Sequence, residues 1–320
     1  MNRWWKRRSI IVPVYILYLT ILFGGVGKVY LWLRCGVPLA QIAVTVPTHS
    51  VYFSGIGASG VLDADESHFN VVLLGASTAG QLAAGLNEEL IRIHGNKLRF
   101  YNLTNLAHTS RDSLYKFRMI AHKKLDLVLV YDGFNELRFN YTPSFKADYS
   151  HVDRYSEISK RDMGGRVFAT DFSRLFGTTC PSNDLRPEML QYGSTIKTDV
   201  SLRDNLEEIA ATCRGQLVLI TFAYHMPVDY EQQRLLGVEI YTRGEFNMSP
   251  DHWGRTEDIP RIMDAHNAVI RELAQRRHLT LVDLQRDLPA TRENFSDACH
   301  LSPAGIKAAV QIISSVFRKG

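Results

Sequence analysis

The feature that most constrains the fold is a regular alternation of short apolar runs with helical patterns after residue 68. The apolar runs lie at 70–75, 98–103, 125–131, 216–223 and 279–284, and they predict five β-strands. Helical patterns follow them at 79–94, 111–124, 201–213, 259–277 and 303–317. Near-continuous apolar strands, each followed by a helix, are typical of a parallel sheet covered on both faces. We therefore expect one α/β domain over residues 68–320.

Two long insertions interrupt this alternation, at 138–200 and at 225–256. Each follows a predicted strand, so each should overhang the carboxyl edge of the sheet, where long loops commonly form lids or substrate-binding walls. Both insertions contain several aromatic residues. The alternative is that these aromatic side chains pack into small cores of their own.

The N-terminal region has the pattern of a membrane anchor. An apolar run at 10–27, extended by 29–33, is about long enough to cross a bilayer. Its flanking basic residues are Arg3, Lys6, Arg7 and Arg8 before the run and Lys28 and Arg34 after it. This asymmetry predicts a cytoplasmic N-terminus and an extracytoplasmic domain. The alternative, a cleaved signal peptide, is disfavoured because the run is long and no small-x-small cleavage site follows it.

These patterns divide the chain into three regions. Residues 1–34 are predicted to be a cytoplasmic tail and a single transmembrane helix spanning 10–33, residues 35–67 a connector without clear periodicity, and residues 68–320 the catalytic domain. The basic excess is concentrated before the apolar run, so it indicates membrane orientation rather than nucleic-acid binding.

Cysteine usage argues against a disulfide scaffold or a zinc site. The chain has four cysteines, Cys35, Cys180, Cys213 and Cys299, too few for a disulfide framework. A bridge between Cys180 and Cys213 in an oxidising compartment stays open. Neither a CxxC nor an HExxH motif occurs, so we expect no metal and no cofactor.

Three short motifs carry residues suited to one active site. LLGAST at 73–78, YDGFNEL at 131–137 and DACHLSPAG at 297–305 supply a serine, an asparagine and an Asp-x-x-His pair. Each lies at the carboxyl end of a predicted strand or in the last loop before the final helix. Ligands of parallel α/β sheets bind at this edge. The three motifs are therefore predicted to meet.

The residue types indicate nucleophilic catalysis. Ser77 lies at a turn into a helix that begins near Thr78, and the positive end of that helix would stabilise an oxyanion. A serine hydroxyl needs a base, for which His300 is the candidate. Asp297, three residues before His300, would orient the imidazole and stabilise its charged form. The alternative is that Ser77 and Asp297 only cap helices.

With these residues in place, the chain resembles the SGNH, or GDSL-type, hydrolase superfamily. The four sequence blocks of that family appear as GAST, NLTNLAHTS, GFNE and DACH, and the resemblance covers residues 69–317. It implies a flavodoxin-like three-layer α/β/α fold with a five-stranded parallel sheet. It also implies that Ser77 is the nucleophile, His300 the base and Asp297 the orienting acid.

The resemblance further implies an oxyanion hole formed by the N–H groups of Ser77 and Ala107 and the side-chain amide of Asn135. Ala107 stands where the family usually has glycine, and Ala76 stands where aspartate is usual. A backbone N–H can serve from alanine, but a positive φ at this position would strain Ala107.

The function predicted from these residues is that of a serine esterase. It would act through an acyl-enzyme on acyl esters, such as O-acetyl groups of carbohydrate or lipid. One alternative is an O-acyltransferase that modifies an envelope or exported polysaccharide, because the same triad serves both reactions. A second is a non-catalytic glycan-binding module, which a broken triad or a filled pocket would indicate.

Overall fold

The computed structural model describes residues 12–19, 21–22, 62, 64–143, 145–147, 185 and 187–318. Every predicted site residue lies in the compact unit formed by Tyr52–His151 and Asp184–Gly320. In the predicted anchor, residues 12–19 and 21–22 are helical, and the rest of 10–33 lies outside the described residues. Within the described ranges, no helix has both the length and the apolar character needed to span a membrane. The anchor therefore stays a prediction.

The compact unit contains five strands and seven α-helices among its described residues. The strands are β1 (Phe69–Gly75), β2 (Leu98–Asn102), β3 (Leu127–Tyr131), β4 (Gln216–Ile220) and β5 (Thr280–Val282). The helices are α1 (Ser77–His94), α2 (Ser110–Ile120), α3 (Thr198–Thr212), α4 (Tyr230–Leu235), α5 (Asp258–Arg277), α6 (Leu284–Asp287) and α7 (Pro303–Ser315). Short 3₁₀ helices span Leu137–Tyr141, Pro187–Tyr192, Pro250–His252 and Arg292–Asn294.

The five strands form one parallel sheet in the order β2-β1-β3-β4-β5. This confirms the predicted parallel sheet, and the strand order is that of flavodoxin-like folds. In β1, the residues from Val71 to Leu74 are completely buried, as expected for a strand covered on both faces. The order reverses between β1 and β3, so a crevice opens at the carboxyl ends of these strands.

The helices form two groups that cover the sheet. Helices α1 and α7 pack on each other, while α3 packs on both α2 and α5. The chain moves in one direction across the sheet from β1 to β2 and in the opposite direction from β2 to β5. Because crossovers are right-handed, α1 therefore lies on one face of the sheet, and the helices between β2 and β5 lie on the other face. Helix α1 buries Leu82, Leu86 and Leu90, one turn apart, in the hydrophobic core that it shares with the strands.

The end of β4 differs from the prediction because of a side chain. The predicted strand continues to 223, but β4 ends at Ile220. The side-chain amide of Asn267 accepts from Phe222 N at 2.6 Å and donates to Phe222 O at 3.0 Å. Because Asn267 uses both backbone groups of Phe222, they are not available to a neighbouring strand. Asn267 therefore has a structural role.

Two further features lie outside the sheet, at the end of the predicted connector and at Cys213. Leu62 is buried, and Asp65 Oδ2 lies 3.1 Å from Arg99 Nη1, so the last residues of the predicted connector contact the domain. Cys213 is a free, half-buried thiol, and its suggested partner Cys180 lies outside the described residues.

Candidate active site

A sharp turn places Ser77 at the carboxyl edge of the sheet. Strand β1 ends at Gly75 and helix α1 begins at Ser77. Gly75 has a φ of +148°, and a Cβ there would lie 2.5 Å from Tyr131 O and 2.6 Å from Ala79 Cβ. Only glycine fits this turn. Ser77 is thus the first residue of α1, where backbone N–H groups lack intrahelical acceptors and the helix dipole is positive.

Ser77, His300 and Asp297 form a continuous chain of hydrogen bonds. Ser77 Oγ lies 2.8 Å from His300 Nε2, and His300 Nδ1 lies 2.8 Å from Asp297 Oδ2. Because a carboxylate only accepts, Nδ1 carries the hydrogen and Nε2 has the free lone pair of the neutral ring. Nε2 is therefore placed to accept the hydroxyl proton of Ser77, which is the arrangement of a serine triad.

Asp297 is held as a buried carboxylate. Its Oδ1 accepts from His300 N at 2.7 Å and Cys299 N at 2.9 Å, and its Oδ2 accepts from Met248 N at 3.0 Å. Burial by itself would raise the pKa of Asp297. The hydrogen bond and charge of His300 and the backbone N–H groups outweigh burial, and the pKa of Asp297 lies below its ordinary value. Asp297 is therefore ionised at neutral pH.

The turn that carries His300 is joined directly to helix α1, which carries Ser77. Phe295 and Leu301 form an antiparallel bridge, and Ser296 N donates to His300 O at 2.9 Å. Gln81 in α1 accepts from Leu301 N at 3.0 Å and donates to Leu301 O at 3.2 Å. Sequence reasoning missed Gln81. Its position four residues after Ser77, on the same face of α1, was the available signal.

The predicted oxyanion donors follow β1, β2 and β3: Ser77 begins helix α1, and Ala107 and Asn135 lie in the loops after β2 and β3. Ala107 has a φ of +56°, the left-handed region that the usual glycine of the family would adopt freely. A non-glycine residue in this region costs about 1–2 kcal/mol. Asn135 Nδ2 donates to His108 O at 2.8 Å, which orients the amide. An amide nitrogen has two hydrogens, so the group can donate to His108 and to a substrate oxygen together.

Buried polar residues hold the loop around Asn135 from both sides. Glu136 Oε1 accepts from Ser110 N at 2.5 Å, while His266 Nδ1 donates to Gly133 O at 2.7 Å. Burial, and then the charge of Asp132, raise the pKa of Glu136. Burial lowers the pKa of His266 to about 4, so its ring is neutral at physiological pH.

The second insertion reaches the triad. The rings of Phe246 and His300 are stacked, with centroids 4.2 Å apart and planes 17° from parallel. Met248 donates to Asp297, as described above. Trp253 lies 6.3 Å from the His300 ring and packs edge-on against Phe134, so it belongs largely to the core. Sequence reasoning had not identified Phe246 or Met248, because no motif marks them. The part of the first insertion at 148–184 lies outside the described residues.

Asp297, Cys299 and His300 also form a cluster of metal-ligand types, with their donor atoms within 4.8 Å of one another. Both nitrogens of His300 already have hydrogen-bond partners in Ser77 and Asp297. Burial raises the pKa of the Cys299 thiol, and a protonated thiol is a poor ligand. The triad accounts for this cluster without a metal.

Comparison with known proteins gives similarities in structure. No protein-family model matches the sequence, and no curated protein was found to be similar to it. Among solved structures, 49 chains match. One is a lipase/acylhydrolase from Enterococcus faecalis, with a TM-score of 0.46 and 16% identity, covering 78% of this chain and 96% of that one.

Two further matches have comparable coverage. One is a member of the lipolytic protein G-D-S-L family from Veillonella parvula, with a TM-score of 0.43 and 10% identity over 79% of this chain and 100% of that one. The other is the C-terminal catalytic domain of peptidoglycan O-acetyltransferase A from Streptococcus pneumoniae, with a TM-score of 0.41 and 12% identity over 79% and 94%. In its strand order and in its four sequence blocks, the chain is similar to the SGNH-type hydrolases.

Proposed function

We propose that the chain is a serine esterase that cleaves ester-linked acyl groups through an acyl-enzyme. The observation that carries this proposal is the chain of two 2.8 Å contacts from Ser77 through His300 to the buried Asp297. A helix cap alone would not require a buried imidazole on the serine hydroxyl and an ionised carboxylate behind it. The intact triad also disfavours the glycan-binding alternative.

In the proposed mechanism, Ser77 Oγ attacks the carbonyl carbon of the ester while its proton passes to His300 Nε2. The negative charge that develops on the carbonyl oxygen is stabilised by the N–H groups of Ser77 and Ala107 and by the Asn135 amide. Collapse of the intermediate breaks the ester bond, and His300 gives its proton to the departing alkoxide. Asp297 stabilises the imidazolium between these two transfers.

The acyl-enzyme is resolved by a second hydroxyl-bearing molecule. With water as the acceptor, its oxygen attacks the acyl carbon while its proton passes to His300 Nε2. The acyl–serine bond then breaks, and His300 returns the proton to Ser77 Oγ, which completes the esterase reaction. A sugar hydroxyl in place of water would give the alternative O-acyltransferase. His300 Nε2 lies 2.8 Å from Ser77 Oγ, so either acceptor must be bound beside Ser77 to give its proton to Nε2. We propose water as the acceptor, and acyl esters of carbohydrate or lipid as substrates.

We also propose that residues 10–33 anchor the chain in a membrane with the catalytic domain on the extracytoplasmic side. The support is the apolar sequence and the basic residues that precede it. Protease added to sealed vesicles of known orientation should digest the domain only where the extracytoplasmic face is outward. Digestion from the cytoplasmic face would contradict the orientation.

The central experiment measures the intact mass of the full-length protein after exposure to a fluorophosphonate. An activated serine attacks phosphorus and fluoride leaves, so wild type should gain one adduct. Ser77→Ala should gain none, and His300→Ala should react far more slowly although Ser77 is present. A folded wild type that gains no adduct would contradict the proposal. With an aryl acetate, release of acetate rather than transfer to added sugars would support the esterase over the transferase.

A further inference from the structure

We propose that Phe246 is a positioning residue for the base, stabilising the His300 ring while that ring carries the proton taken from Ser77. This inference rests on the proposed function and extends it to a residue of the second insertion. Phe246 acts through His300 and has no assigned contact with the substrate.

The stacking geometry is that of a cation–π contact. The two ring centroids are 4.2 Å apart and the planes are within 17° of parallel. The face of an aromatic ring carries negative charge density, which attracts a cation within about 6 Å of the centroid. The attraction increases where water is excluded, and His300 is 3% exposed. Phe246 would therefore stabilise the imidazolium more than the neutral imidazole.

Other groups act on His300 from different directions. Asp297 contacts the Nδ1 edge, Ser77 contacts the Nε2 edge, and the Cys299 thiol lies 3.4 Å from Nδ1. Tyr241 is close enough to interact electrostatically with Asp297 and Cys299, and its own pKa is raised, mainly by burial. These groups meet the edge of the imidazole or lie beyond it. Phe246 covers its face, so its effect is added to that of Asp297.

Contacts on both sides of Phe246 hold it against this turn. Two residues before it, Gly244 approaches so closely that a Cβ would lie 2.5 Å from Ser296 Cβ. Two residues after it, Met248 N donates to Asp297 Oδ2 at 3.0 Å. The segment 244–248 thus contacts the Asp-x-x-His turn at both ends, and the stacked position of Phe246 is determined by the path of the backbone.

The test compares Phe246→Leu and Phe246→Met, which remove the aromatic face, with Phe246→Trp, which keeps one. The measured quantity is the second-order rate of fluorophosphonate labelling of the full-length protein as a function of pH. In this reaction Ser77 Oγ bonds to phosphorus, fluoride leaves and the proton passes to His300. A lost cation–π contact should slow labelling about threefold. It should also move the acidic limb of the profile to lower pH by about half a unit, because the protonated base is less stable.

A matched control is available elsewhere in the domain. Phe69 stacks on His94 with centroids 4.2 Å apart and planes 12° from parallel, outside the triad. Phe69→Leu removes the same kind of contact and should leave the pH profile unchanged. Phe246→Trp should keep the wild-type labelling rate and the wild-type position of the acidic limb of the pH profile.

The outcomes separate this inference from the proposed function. If wild type is labelled and the folded Phe246→Leu and Phe246→Met variants keep its labelling rate and its acidic limb, Phe246 does not stabilise the protonated His300 ring. A limb that moves to higher pH would also overturn it, because the ring would then act only by excluding water. If wild type itself is not labelled at any pH, the proposed function fails instead. The Leu and Met variants protect the test against one of them failing to fold.

Discussion

Replacing His266 with glutamine should remove an acid-dependent loss of stability. His266 is completely buried, with Nδ1 donating to Gly133 O at 2.7 Å and Nε2 2.7 Å from the Thr198 hydroxyl. Burial lowers its pKa from 6.5 to about 4. Above about pH 6.5 the ring is neutral in both states. As the pH falls toward 4, the unfolded chain binds a proton that the folded protein does not, and stability is lost.

The size of the effect follows from this pKa difference, which corresponds to about 3 kcal/mol. Urea unfolding at a series of pH values between about 7 and 4 would measure the free energy of unfolding of wild type and His266→Gln. Other titrating groups contribute equally to both proteins, so the difference between the two curves isolates His266. We expect the variant to be less stable at neutral pH, and the difference to shrink as the pH falls.

The control is His122→Gln, which replaces an exposed histidine and should follow the wild-type curve. The reasoning would be refuted by wild-type and His266→Gln curves that stay parallel over the whole range. The result matters for the site because His266 holds the carbonyl of Gly133, two residues before Asn135, the proposed oxyanion donor.

Three further predictions concern Asn135, Ala107 and Glu136, in the loops of the proposed oxyanion hole. Asn135→Ala should fold normally and be labelled by a fluorophosphonate about two to three orders of magnitude more slowly, because one donor is lost; near-wild-type labelling would remove Asn135 from the site. Ala107→Gly keeps the backbone N–H, so its fluorophosphonate labelling rate should stay within about threefold of the wild-type rate. Glycine also relieves the left-handed φ, so the free energy of unfolding should be unchanged or higher by up to about 1 kcal/mol. A clear loss of stability in urea unfolding would contradict this. Burial raises the pKa of Glu136 above 4.5 in the folded protein, so the stability that the protonated side chain contributes below pH 4.5 is lost as the pH rises through the folded-state pKa. In urea unfolding, the free energy of unfolding of Glu136→Gln should therefore fall less than that of wild type toward alkaline pH. Curves of the two proteins that stay parallel would contradict this.

Much of the fold was predictable because its signals are local. The apolar runs predicted all five strands, and the helical patterns between them predicted the crossovers that make the sheet parallel. The motifs also predicted which side chains would meet, since the carboxyl ends of parallel strands share one edge. Ser77 and His300 are 223 positions apart and lie in hydrogen-bond contact.

Other features depend on contacts between distant segments and had no local signal. The stacking of Phe246 on His300 follows from the path of an insertion whose backbone is positioned by Ser296 and Asp297. The termination of β4 at Ile220 depends on Asn267, a residue in another element. Gln81 lies on the predicted face of α1, but its bond to Leu301 exists only once α1 and the last turn pack together.

The sequence by itself determined the parallel sheet, the edge at which the site forms and the residue types that carry its chemistry. These follow from periodicity and from the functional groups of the side chains. Only the tertiary structure decided the positive φ of Ala107, the hydrogen bonds that keep the buried Asp297 ionised, the burial that keeps His266 neutral, and the aromatic face that covers the His300 ring. Backbone dihedrals at a loop, pKa values and ring stacking depend on what surrounds a residue, and those surroundings come from segments far away in the chain.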